Sequence, residues 1–113
     1  MYDELRTVSD SPVLVEAELR LFSKGDGGRH TPITKNYRPN HNFFWPENGR
    51  FFIGQVELED DEWVHPGEKR LVNITFLDAV GLRELLTLGR IWKIQEGSIV
   101  VGEAEIKYVV ANT

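Results

Sequence analysis

From residue 13 onward the chain alternates. Val13, Val15, Ala17, Leu19 and Leu21 occupy every second position, with Glu16, Glu18 and Arg20 between them, the pattern of a half-buried strand over 13–22. The same alternation predicts strands over 50–58 and over 70–77, where Val72, Ile74 and Phe76 share one side. A shorter, less regular strand is expected over 91–95. A last one is expected over 98–110, with Val100, Ala104, Ile106, Tyr108 and Val110 on one face and Gly102 among them. Glycine inside a strand marks a bulge, a barrel bend or a close backbone approach. Turn signals separate these runs: KGDGG, YRPN, WPENG, HPGE and EGS. Short strands with Gly/Pro turns between them predict an antiparallel sandwich or barrel. The exception is 78–89, where Leu82, Leu85 and Leu86 recur at helical spacing and Gly89 can cap the end, so one or two helical turns are expected. No repeat, low-complexity tract or linker interrupts the pattern. One all-β domain is expected over 13–113, behind an N-terminal extension over 1–12.

Composition narrows the classes. A chain of 113 residues has the size of one domain. With 41% hydrophobic and 27% charged residues it reads as globular rather than disordered. No apolar run approaches the ~20 residues of a membrane-crossing helix, and the acidic, polar start does not read as a secretory signal. There are no cysteines, which excludes disulfides, thiolate nucleophiles and thiolate zinc sites. A cytoplasmic location is the default expectation. The formal net charge of −5 disfavours phosphate-driven nucleic-acid binding, and five of the six residues over 57–62 are acidic. Lys24, Arg29, Lys35 and Arg38 nevertheless fall close together and define a local basic face.

Candidate chemistry is sparse. His30, His41 and His65 do not stand at metal-ligand spacings, so no metal is expected. No motif distinguishes a nucleophile. GDGGRH has glycines but no Lys-Ser/Thr follows, so it is not a phosphate-binding loop of the G-x-x-x-x-G-K-[ST] kind. Neither a catalytic activity nor a cofactor is expected.

The stretch SKGDGGRHTPITKNYRP resembles the C-terminal, third domain of bacterial elongation factor Tu. That family carries Ser-Lys, an acidic-glycine turn, Gly-Gly-Arg-His-Thr-Pro, and then Lys-Gly-Tyr-Arg-Pro. Here Ser23, Lys24, the six residues 27–32, Lys35 and the three residues 37–39 match, with Asn36 in place of the glycine. Gly54, Glu57 and Leu58 fit the family's Thr-Gly-Thr-Ile-Glu-Leu strand, and Pro66 and Gly67 its Pro-Gly-Asp turn. Gly89, Ile94, Glu96, Gly97, Val101 and Gly102 agree with its Gly-Leu-Arg-Phe-Ala-Ile-Arg-Glu-Gly-Gly-Arg-Thr-Val-Gly segment. The resemblance spans about 14–109 and implies a closed six-stranded antiparallel β-barrel. It also implies one domain of three, without the family's GTPase domain and hence without nucleotide.

For the sites, the resemblance implies contact with the T stem of aminoacyl-tRNA through Glu96 and Gly97. The family's glutamine after Tyr-Arg-Pro is Asn40 here, its arginine is Ile99 and its threonine Val100. Loss of that guanidinium removes a bidentate phosphate donor. An RNA-binding set of Arg29, Lys35, Arg38, Asn40, Glu96 and Gly97 is therefore one expectation, with tRNA or ribosomal RNA as the partner. The other is a protein partner, translation-associated or toxin-like, met by features that depart from the family. The segment 40–52 carries five aromatics, of which Phe43 and Phe52 read as core and Phe44 and Trp45 as exposed anchors. The turn over 78–89 either caps the barrel or presents Leu82, Leu85 and Leu86 to a partner groove. The bland reading of residues 27–39 is a barrel corner held by prolines and glycines. No membrane association is expected.

Overall fold

The structure, a computed structural model, describes residues 12–110. The extension expected over 1–12 lies, apart from Pro12, outside the described residues. Six antiparallel strands follow in chain order: β1 (Val13–Leu21), β2 (Asn40–Asn42), β3 (Phe52–Glu57), β4 (Lys69–Phe76), β5 (Ile91–Glu96) and β6 (Ile99–Val109). They close as a barrel in the order β1-β4-β3-β2-β5-β6, with β6 returning to β1. This is the closed six-stranded antiparallel barrel that was expected, and closure pairs the strand edges.

The alternation read along the chain is the inside–outside alternation of the wall. Val13, Val15, Ala17, Leu19 and Leu21 of β1 are buried, as are Val72, Ile74 and Phe76 of β4 and Phe52 and Val56 of β3. Trp92 and Ile94 of β5 complete the interior beside them. Two details depart from the expectation. On β6, Val101, Ala104 and Ile106 are buried, whereas Val100 is only half-buried and Tyr108 is exposed. Two register shifts explain this. Ile94 pairs with Gly102 but Gln95 pairs with Val100, and Glu16 pairs with Tyr108 but Ala17 pairs with Ile106. Each shift inserts one residue and turns the face of the strand beyond it.

The second departure is β2. Asn-His-Asn has no apolar alternation, yet His41 and Asn42 are fully buried and the strand bridges β3 and β5. Its side chains are satisfied internally, which is what permits a polar strand in a core.

The expected helical turn is present as α1 (Leu82–Leu85). Leu82 and Leu86 are buried in the core and Leu85 packs against it, so this turn plugs the barrel. Leu82 and Leu86 are thereby withdrawn from any partner groove. Arg83 donates through Nε and Nη2 to Oδ2 of buried Asp78 at 3.0 and 2.8 Å, anchoring the turn. Among the described residues no helix is long and apolar enough to cross a membrane.

Candidate functional site

Two loops converge on the hairpin between β5 and β6. The first is the glycine-rich corner after β1. A 3-10 turn over Lys24–Asp26 ends at Gly27, whose φ of +88° is left-handed and suited to glycine. The amide of Gly28 returns to the Ser23 carbonyl at 2.9 Å, and a Cβ there would lie 2.1 Å from the Phe22 carbonyl oxygen. The glycine pair therefore follows from backbone geometry: one residue needs the left-handed conformation and its neighbour needs the absent side chain. Further along, Asn36 holds φ +68°, a conformation that asparagine tolerates better than most residues. Backbone bridges from Ile33 to Val64 and from Tyr37 to Val56 then fasten the loop to the wall.

From this corner Arg29 reaches across to Glu96, sixty-seven positions along the chain, and donates to its Oε2. The Tyr37 hydroxyl donates to the same oxygen at 2.5 Å. Arg29 also donates to the Thr31 carbonyl and hydroxyl, both at 3.0 Å, and its guanidinium lies 5.3 Å from the Tyr37 ring centre. Burial raises the pKa of Tyr37, and its bond to Glu96 raises it further, so the phenol remains a protonated donor. Gly97, with φ +61°, opens the two-residue turn from Glu96 to Ile99.

The second loop runs from β2 to β3. Gln95, fully buried, donates from Nε2 to Asn48 Oδ1 at 3.0 Å and accepts from Asn42 Nδ2 at 2.6 Å. Asn42 also donates to the Glu47 carbonyl at 2.7 Å and accepts the Phe44 amide at 2.9 Å. Phe43 stacks on Trp92 with ring centres 4.7 Å apart and is buried, while Phe44 is half-buried. Trp45 remains 50% exposed, with the Lys93 ammonium 5.4 Å from its ring centre. The Arg50 guanidinium lies over both Phe44 and Phe52, at 5.5 and 5.1 Å, and donates to the Val80 carbonyl. Between them opens a groove of about 350 Å³ lined by Phe44, Glu47, Gly49 and Arg50.

The structure thus brings Arg29, Glu96 and Gly97 of the RNA-facing set to one end of the barrel. Lys35 lies apart, donating to Asp60 at 2.9 Å within the acidic run, and Arg38 Nε donates to Gln55 Oε1 at 2.8 Å. Asn40 sits on β2 opposite Ile53 and Gln95. Phe44 and Trp45 share the β2–β3 loop. Of the leucines at 82, 85 and 86, only Leu85 keeps partial exposure.

Sequence reasoning passed over His41. Its Nε2 lies 2.9 Å from the Gly54 carbonyl and its Nδ1 accepts the Trp92 indole N–H, which fixes a neutral tautomer with the proton on Nε2. Burial lowers its pKa to about 4, against the raising effect of the Gly54 carbonyl. A lone histidine between two asparagines carries no local signal of this role. Among the described residues no group of three or more histidine or carboxylate side chains is placed to hold a metal ion. No family model matches the chain.

Proposed function

We propose that this barrel is a non-catalytic binding module that takes a protein partner through the corner between β2 and β3. The observation that carries the proposal is Trp45. Its neighbour Phe43 and nearby Phe52 turn into the core, whereas the indole stands half-exposed under Lys93 and beside the groove of Phe44 and Arg50. Large aromatic side chains held in a fixed setting are favoured anchors of protein interfaces. The resemblance to the third domain of elongation factor Tu supports a translation-associated setting. A partner that recognises that domain would meet a similar scaffold here, and the module would act as an adaptor, decoy or immunity-type factor. The left-handed backbone at Asn36, where that family has glycine, is in keeping with the resemblance.

The test is quantitative capture from the source cells with three baits: wild type, Trp45→Ala, and Leu88→Ala as an exposed control away from the corner. A protein retained by wild type and Leu88→Ala but lost with Trp45→Ala is the expected result. Equal recovery on all three baits would refute the corner as the binding site.

A second reading, an RNA-binding module, is favoured by the meeting of Arg29, Glu96 and Gly97 at one barrel end. It is weakened by the pairing of Arg29 with Glu96 and of Lys35 with Asp60, since phosphate affinity rests on available cations. Fluorescence anisotropy of labelled aminoacyl-tRNA at low and near-physiological salt separates the two. Binding that persists at the higher salt and falls with Arg38→Ala would replace the protein reading.

A further inference from the structure

We propose that Asn48 and Gly49 form a self-modifying site, at which the folded protein converts Asn48 into aspartate and isoaspartate. The Gly49 backbone nitrogen attacks Cγ of Asn48, forming a new C–N bond. Solvent base removes the proton from that nitrogen, and the side-chain nitrogen leaves as ammonia, closing a five-membered succinimide. Water then adds across either imide C–N bond. Opening on one side restores the normal backbone as aspartate, and opening on the other routes the chain through the side chain as isoaspartate. No oxidant or cofactor enters the balance; water is the co-reactant.

Three observations at this position carry the proposal. The attacking nitrogen belongs to a residue without a side chain that stands in open space, since a Cβ placed on Gly49 meets nothing within 4 Å, and the exposed loop admits water. Among the described residues the other asparagines, at 36, 40, 42 and 73, precede tyrosine, histidine, phenylalanine and isoleucine, whose side chains crowd the following nitrogen. The third observation is particular to this fold. Asn48 Oδ1 accepts from Gln95 Nε2 at 3.0 Å. That oxygen gains negative charge as the tetrahedral centre forms. A donor already aimed at it stabilises the charge without reorganising, as the donors of an oxyanion hole do. That donor belongs to Gln95, a buried side chain whose Oε1 is held by Asn42 Nδ2, so its aim is fixed.

The modification adds one negative charge to a corner built on Arg50, Lys93, Glu47 and three aromatic rings. Isoaspartate also lengthens the backbone between Trp45 and β3. This inference stands independently of the proposed partner: the chemistry needs only water and the fold.

The experiment incubates the intact folded protein at mildly alkaline pH and follows the proteolytic peptide ending at Arg50 by fragmentation mass spectrometry. Enzymatic methylation of isoaspartyl carboxylates serves as an independent readout. Asn48 is expected to react ahead of Asn40 and Asn42 in the same peptide, and faster in the folded protein than in the same chain in denaturant. Gly49→Ala is expected to slow it about tenfold, which equals about 1.4 kcal/mol of barrier. Gln95→Glu, which replaces the donor nitrogen with oxygen, is expected to slow it about fivefold, less than the ~10²-fold loss of a donor in a water-excluded site. Circular dichroism checks that both variants keep the fold. Reaction at Asn40 or Asn42 first, or a slower reaction at Asn48 in the folded protein than in denaturant, would overturn the inference.

Discussion

The Trp92 indole donates its N–H to His41 Nδ1 at 3.0 Å inside the barrel, and His41 in turn bonds the Gly54 carbonyl at 2.9 Å. The chain of bonds ties β5 to β2 and β2 to β3, through a three-residue strand that has few ladder bonds of its own. It also requires a neutral imidazole, because a protonated Nδ1 cannot accept from the indole.

Stability should therefore fall on the acid side. The folded-state pKa of His41 is depressed to about 4, below the ordinary 6.5, so the unfolded chain takes up a proton first. Its contribution is complete above about pH 6.5 and is lost progressively toward pH 4. The gap corresponds to about 3 kcal/mol. Urea unfolding at a series of pH values should show this slope. His41→Gln, which keeps one donor and one acceptor, should flatten it.

Gly102 tests the close approach of β6 to β1. A Cβ there would lie 2.6 Å from the Arg20 carbonyl oxygen and 3.3 Å from Leu21 Cα, both backbone atoms that cannot swing away. Gly102→Ala is expected to lower stability by about 3 kcal/mol. Gly49→Ala, in open space, should change it by less than about 0.5 kcal/mol. Paired denaturation curves read both.

The leucines around α1 separate capping from display. Leu86→Ala removes a buried side chain and should cost about 3 kcal/mol. Leu88→Ala removes one that is 78% exposed and should stay within about 0.5 kcal/mol. Equal effects in thermal or chemical unfolding would contradict the plug described for this turn.

Glu96 is the shared acceptor of Arg29 and Tyr37. Glu96→Ala removes the acceptor that Arg29 and the half-buried Tyr37 phenol share, leaving Arg29 its bonds to Thr31, and should cost about 2 kcal/mol. In a double-mutant cycle, Tyr37→Phe and Arg29→Met should each lose less when Glu96 is already absent. Strict additivity would show that the three groups do not act together.

Much of the barrel was legible because strand alternation is local. Val13 to Leu21 and Val72 to Phe76 each display their inward face in their own order, and any antiparallel closure must bury that face. Gly102 was legible as a special position, though not which backbone it approaches. The parity of β6 was not legible at its ends. A bulge changes which residue faces inward without changing composition, and its place is set by the registers of β1 and β5.

The candidate site divides the same way. Phe43 and Phe52 as core, and Trp45 as exposed, followed from hydrophobic content beside a proline turn, whereas Phe44, expected exposed with Trp45, is half-buried against the core. The corner over 27–39 was also legible, in its glycines and prolines. The tertiary structure alone decided that Arg29 spends its charge on Glu96, that Asn42, Gln95 and Asn48 form one network, and that a strand reading Asn-His-Asn belongs inside. Those outcomes depend on partners tens of residues away. A polar side chain is buried only when closure brings it a matching donor or acceptor, and no local pattern records that meeting.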